Sequence, residues 1–420
     1  MRLGRRQTIG VLFGLLGLFL VTYVASNLSD VDKGLTFEPP PDPLKLVFSP
    51  TTIVTAIGLI YVLTAIVSFF EHRSERLVRG SLLLSTLFFI PLVIVLALAL
   101  STAPDTNVTQ LLVESLRLGT PIALGSMAGL WCERSGVVNI GIEGMMLASA
   151  GTGFMTYALV GDARGTGALW LSIGVAVLTG GLIALLHAWL SVSFRVDQII
   201  SGVVINLLAL GVTGFLRSEV IVPSGISTGV PTGTIPLPGL SRIPILGSQL
   251  FTNRPIFFTM FVVVGATAFV LFRTPFGLRV RSVGENPHAA ETLGIDVIRI
   301  RYTAVVIGGL IAGLGGAWFS LESQAGFEDS MTNGAGFIAL AALIFGKWRP
   351  STAFAGAMLF GFTRALGARL QFLGVTIGDF SIPSEFWQSL PFVVTIIVVA
   401  GAVGRAVAPA SDGVPFERSR

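Results

Sequence analysis

Stretches of about 20 apolar residues, the length of helix that crosses a bilayer, recur along almost the whole of this chain. They lie at roughly 8–26, 50–70, 81–101, 110–131, 139–160, 169–190, 198–217, 255–272, 302–321, 334–348, 351–372 and 386–404. The pattern predicts an all-α, polytopic integral membrane protein with about twelve transmembrane helices. Composition agrees, since 52% of the 420 residues are hydrophobic and only 12% are charged, far too few charges for a soluble domain of this length.

Charge then reports topology. The net charge is +4 and the pI near 9.6, but the basic residues occupy short loops rather than one face, which argues against nucleic acid as a partner. With the N-terminus inside, the cytoplasmic side collects Arg73, Arg76 and Arg79, then Arg195, then an arginine-rich island at 273–301, then Lys347 and Arg349, and finally Arg405, Arg418 and Arg420. The outer loops hold Asp30, Asp32, Glu38, Asp42, Glu322, Glu328, Asp329, Asp379 and Glu385. Both termini are therefore expected in the cytoplasm. Arg2, Arg5 and Arg6 ahead of Ile9 to Val24 have the outline of a signal peptide. Bulky Tyr23 stands where cleavage after Ala25 wants a small residue, so the segment reads as an uncleaved first helix.

Pro39, Pro40, Pro41 and Pro43 make 27–49 an extended outer linker, and 218–254 is a longer outer loop rich in Gly, Pro and Ser. The expected organisation is an N-terminal extension of three helices over 1–109, a core over 110–404 and a cytoplasmic tail over 405–420. Gly308, Ala312 and Gly316 fall on one helical face and permit close packing.

The chain carries no H-E-x-x-H, G-x-S-x-G or Walker sequence. Cys132 is the sole cysteine, and His72, His187 and His288 have no ligand spacing. No metal site, no cofactor bound by this chain and no enzymatic activity are expected, so any ATP used must be bound by another subunit. His187, near the end of an apolar span, reads as a packed or interfacial histidine rather than a ligand.

Polar residues within apolar spans mark the places where chemistry would sit. Glu143 follows Asn139 by four residues, which places them on one helical face, either hydrogen-bonding a polar solute or capping the helix start. Residues 131–141 and 334–348 read as broken or re-entrant helices or, alternatively, tight cytoplasmic turns. Around Arg195, Gln198, Ser201 and Asn206, Asp197 suits an N-cap, while Asn206 meets either a neighbouring helix or a solute. Arg364 and Arg369 share one span, with pairing to Glu322 or Glu385 open. Within the island, Asn286 can cap a helix, Pro287 suits its first position and Gly294 can end it.

Four ordered runs resemble a known family: ERSGVVNIGIEGMML (133–147), FRVDQIISGVVINLLALG (194–211), GENPHAAETLGI (284–295) and GFIALAALIFGKWRP (336–350). They are similar to the permease subunits of bacterial ABC importers for nucleosides and simple sugars, of the branched-chain amino acid/ribose type. The resemblance covers about 110–404 and is greatest to the second permease of the nucleoside (guanosine-type) systems, whose shorter form lacks 1–109. It implies a multi-pass subunit of the bacterial cell membrane, working with a second related permease, a cytoplasmic ABC ATPase that binds ATP, and a substrate-binding lipoprotein or periplasmic protein. By the same resemblance Gly284, Glu285, Asn286, Pro287, His288, Ala289, Ala290, Glu291 and Gly294 form the coupling helix that docks on the ATPase. Asn139, Glu143 and Asn206 are the candidates for lining the solute path, with Phe154 placed to stack on a base. The alternatives are a permease for ribose or another simple sugar, an ion-coupled secondary transporter, and a membrane enzyme.

Overall fold

The computed structural model describes residues 5–28, 31–37, 44–69, 75–101, 103–160, 166–225, 229–244, 247–373, 376–377, 380–381, 383–397 and 406–418. Arg73, Arg405, Arg420, Asp30, Glu38, Asp42, Asp379, His72, the four linker prolines and the end of the last expected span lie outside them.

The fold is mostly helical. In order come α1 (Arg5–Phe19), α2 (Pro50–Phe69), α3 (Glu75–Ala99), α4 (Val108–Glu133), α5 (Ile142–Leu159), α6 (Thr166–Ala188) and α7 (Gln198–Leu216). They are followed by α8 (Pro255–Arg273), α9 (Pro275–Glu285), α10 (Pro287–Thr292), α11 (Val297–Ala317), α12 (Ala335–Phe345), α13 (Pro350–Leu373) and α14 (Leu390–Ile397). Among the described residues 7 helices are long and apolar enough to cross a membrane: Gln7–Asn27, Pro50–Phe69, Arg76–Ala99, Thr166–Ser193, Gln198–Ile221, Pro255–Arg273 and Val297–Ser323. This is a multi-pass membrane protein. Helix α12 is equally apolar but has only 11 residues, a rise of about 16 Å against a hydrocarbon core of about 30 Å.

The chain divides into two compact units, Met1–Leu111 with Leu366–Ser389 and Leu112–Ala365 with Leu390–Arg420. In the first, α1 meets α2 through small residues. A Cβ on Gly14 would stand 2.6 Å from the Cβ of Ala65, and one on Gly17 would stand 2.5 Å from the Gly58 carbonyl oxygen. Glycines one turn apart thus let two backbones touch where lipid offers no hydrophobic drive for association. A small sheet of order β2-β1-β3 joins Lys33–Thr36 (β1) to Lys45–Phe48 (β2) and Asp105–Asn107 (β3). Lys33 anchors it by donating to the Ser101 and Ala103 carbonyls at 2.9 and 2.8 Å.

In the second unit α11 is the central wedge. The expected small face holds: Gly308 sits against the Ala128 carbonyl and Cys132 Sγ, Gly316 against Met146 and Ser149, and Ala312 is fully buried. A second small face, Gly309 and Gly313, lies against Gly180 and Val177 of α6. Helix α11 therefore touches neighbours on two sides at backbone distance.

Two expectations change here. Asn139 and Glu143 do not share a helical face, because α4 ends at Glu133, Gly136 turns the chain with φ +84°, and α5 begins only at Ile142. Glu322 is not in an outer loop, because α11 continues through a π-helical turn, Trp318–Ser323, that keeps its carboxylate buried.

Candidate functional site

The break between α4 and α5 is the organising feature of the second unit. Cys132, Glu133, Ser135, Val137 and Asn139 are all buried, so non-helical backbone runs through the protein interior and each of its polar groups needs a partner. Neighbouring helices supply them. Val138 N–H donates to Gln198 Oε1 at 2.7 Å. His187 holds the same residue from α6, with Nε2 at 3.0 Å from the Val138 carbonyl and Nδ1 at 3.0 Å from Ser201 Oγ, which agrees with its reading as a packed histidine. Asn206 of α7 uses both ends of its amide, Nδ2 donating to the Ile140 carbonyl at 3.1 Å and Oδ1 accepting from Gly144 N–H at 2.7 Å. On the other side Trp348 Nε1 donates to Glu133 at 2.5 Å, and Arg134 donates twice to the Trp348 carbonyl, at 3.0 and 2.7 Å.

Of the candidate path residues, Asn139 is fully buried with Nδ2 directed at Cys132 Sγ and Met145 Sδ, and its Oδ1 has no hydrogen-bond partner among the described residues. Phe154 stands apart in the core, its ring centroid 6.0 Å from that of Tyr157.

Glu143 caps a helix, but not its own. The N-cap of α5 is Gly141, with no side-chain bond. The N-cap of α12 is Gly334, in the left-handed region at φ 72°, and it too has no side chain to offer the orphan N–H groups of the first turn. Glu143 replaces it from α5, accepting from Thr332 Oγ1 at 2.6 Å, Gly334 N–H at 2.9 Å and Gly336 N–H at 2.6 Å. A carboxylate there also answers the positive end of the helix dipole. Arg364 donates to the Asn333 carbonyl at 3.0 Å in the same turn, and Arg369 to Thr106 Oγ1 at 2.8 Å; no ion pair of either with Glu322 or Glu385 is present among the described residues.

Glu322 does for α8 what Glu143 does for α12. Arg254, the N-cap, makes no capping bond, and Pro255 has no N–H. The Glu322 carboxylate accepts from Ile256 N–H at 2.7 Å and Phe257 N–H at 3.0 Å. Beside it opens a cavity of about 260 Å³ lined by Glu114, Arg117, Asn253, Arg254, Trp318 and Glu322, among others. Two cations and two carboxylates balance there. Sequence reasoning missed this place, although an acid closing an apolar run and a helix opening on Arg-Pro without a capping residue were both visible.

The island folds as its caps predict. Asn286 Oδ1 accepts from Ala289 N–H at 3.0 Å at the start of α10, and Gly294, with φ +80°, ends it. Pro287 and Ala290 face inward, while Glu285, Asn286, His288 and Ala289 are exposed. Leu293, absent from the sequence candidates, is 82% exposed. At the base of α10, Gly284 lies on the break so closely that any Cβ would overlap the Arg134 carbonyl, and Glu285 pairs with Arg134 at 3.8 Å. Burial lowers the pKa of the Arg134 guanidinium, against the pull of Glu285. The end of α9, which leads into α10, thus bears on the break at Arg134, while Asn206 ties the break to α7 and Glu143 ties the start of α5 to α12.

Residues 111–399 match the family described as the branched-chain amino acid transport system, permease component. The chain is 40% identical over 312 residues to the guanosine ABC transporter permease protein NupQ of Bacillus subtilis (strain 168), covering 73% of this chain and 96% of that protein. It is 39% identical over 317 residues to the nucleoside ABC transporter permease protein NupC of Lactococcus lactis subsp. cremoris, covering 75% and 99%. Over 311 residues it is 36% identical to a putative glucose ABC transporter permease protein, TsgC13, of Haloferax volcanii, covering 70% and 92%. No solved structure matches the chain.

Proposed function

This chain belongs to the branched-chain amino acid transport permease-component family, and we propose that it is the permease subunit of an ATP-driven importer of nucleosides. The observation that carries the reading is the near-complete coverage of two nucleoside permeases. The family match over 111–399 includes the island, where Gly284 at the end of α9, just ahead of α10, lies on the α4–α5 break. The chain hydrolyses nothing itself. A cytoplasmic ATPase supplies the energy, a second permease completes the translocation path, and a binding protein delivers solute from outside.

In this reading the chain crosses the membrane about twelve times, with both termini and α10 on the cytoplasmic side. The exposed face of α10, with Leu293 as its apolar knob, docks on the ATPase. A push on α10 passes through Gly284 and Arg134 into the break, which is what alternating access requires of a rigid two-state element. Solute passes the break, where the Asn139 carbonyl oxygen has no hydrogen-bond partner among the described residues and half-buried Glu143 follows at the start of α5. Asn206 and Phe154 hold the walls. The charge-balanced cavity at Glu322 suits an uncharged solute rich in hydroxyl and base-edge groups.

The test is uptake by the reconstituted complex. Labelled guanosine should accumulate in proteoliposomes only with ATP on the ATPase side, and accumulation that follows an ion gradient without ATP would sink the reading. A simple-sugar solute is the second reading, favoured by the similarity to TsgC13. Competition by unlabelled nucleosides against glucose and ribose separates the two.

A further inference from the structure

The C-terminal tail is not a solvated end. Residues 406–418 lie across both the coupling segment and the break. Ser411 N–H donates to the Gly284 carbonyl at 2.9 Å, Ser411 Oγ to the Glu285 carbonyl at 3.2 Å, and Ala410 N–H to the Glu285 carboxylate at 3.2 Å. Gly413 approaches Val138 of the break so closely that a Cβ would stand 3.3 Å from its Cγ2.

Further along, Phe416 is 6% exposed and fills the space between Val283, Ala290 and Val297, with its ring centroid 5.2 Å from that of His288. Arg418 then reaches Glu291 and Asp296, at 3.8 Å each. One buried charge fixes the arrangement. Arg301 of α11 is fully buried, and its guanidinium donates to the Val414 carbonyl at 3.0 Å, while its Nε and Nη2 have no hydrogen-bond partner among the described residues. A guanidinium buried with so few bonds is costly, and the tail is what supplies its acceptor.

We propose that residues 406–418 are a strap that fixes α10 to the α4–α5 break, with Phe416 and Ser411 as positioning residues for energy coupling. A helix of 6 residues has little stability of its own. Two of its sides are held by α9 and the start of α11. The strap closes a third, so that a force on the exposed face moves the break instead of tilting the helix.

This inference rests on the proposed ATP-driven transport, and two measurements keep the two apart. In the reconstituted complex the quantity read is solute moved per ATP hydrolysed. The double variant Phe416→Ala, Arg418→Ala should lower that ratio by about tenfold while ATP hydrolysis continues, and Phe416→Leu should largely restore it. A merely structural tail would lower transport and hydrolysis in the same proportion, and an unchanged ratio would be equally fatal.

In the permease alone, hydrogen exchange needs neither partner nor solute. The strap predicts that amides of 287–295 exchange at least about tenfold faster in Phe416→Ala than in the wild type, with protection in α6 and α11 retained. Equal protection of 287–295 in both proteins overturns the strap even where transport is never observed. Absence of ATP-driven uptake with wild-type protein, by contrast, overturns only the functional reading.

Discussion

Two helices of the core open without a capping side chain of their own, and each borrows a carboxylate from elsewhere in the chain. Glu322 caps α8 and is 2% exposed, with both N–H groups it receives also buried. Glu143 caps α12 through three donors but remains half-buried. The same device serves two purposes. A sealed cap suits a helix that keeps its place, because losing it strands donors with no replacement. A cap within reach of water suits a helix that shifts, because water takes over the donors when the carboxylate withdraws. Glu143 is the second residue of α5, next to the break, and it caps the short helix α12, where the proposed relay from α10 would end.

The largest effect should come from the sealed cap. Glu322→Ala leaves two buried N–H groups without an acceptor and is expected to cost about 3 kcal/mol, read as a lowered thermal midpoint of the detergent-purified permease. Glu143→Ala should cost about 1–2 kcal/mol but impair transport more than folding. Equal losses of stability in the two variants would break the comparison.

Asn206→Leu removes two bonds to the break and should cost about 1 kcal/mol. Uptake should fall further than that loss of folded protein explains, and uptake that merely tracks the amount of folded protein would remove Asn206 from the relay.

The smallest effect is one of pH. Burial pushes the Asp412 carboxyl in the tail up to about 7, against the pull of Arg301. The folded state thus holds a proton that the unfolded chain releases near 3.8. The stabilisation is full below that lower value and lost as pH rises through about 7. Amide exchange in 410–416, corrected for its intrinsic pH dependence, should therefore be faster at about pH 8 than at about pH 6, and Asp412→Asn should reduce the difference.

What could be read from the sequence was local. The caps at Asn286 and Asp197 and the stop at Gly294 each join residues within a few positions, and all three stand in the structure. The small face of α11 was legible because helical periodicity alone places Gly308, Ala312 and Gly316 together. The misreadings share one cause. The interruption at 131–141 is legible from its charged and small residues, but Val137 and Val138 resume the apolar pattern, so nothing marks that the helix begins only at Ile142, beyond Asn139. Glu143 stands out in the sequence, but its partners lie about 190 positions away, and Glu322 falls among the loop acids because a π-helical turn leaves no clear trace in composition.

The sequence by itself determined that this chain lives in a membrane, that its fold is mostly helical, and that a capped helix stands clear of the apolar spans. These follow from transfer free energy and from hydrogen bonds closed within a turn or two. The tertiary structure alone decided which buried polar group answers which. Only there do Glu143 and Glu322 become caps, does Gly284 rest on Arg134, and does the tail cover Arg301. A buried polar group requires a partner but does not specify one, and the identity of that partner is set when packing brings distant segments of chain together.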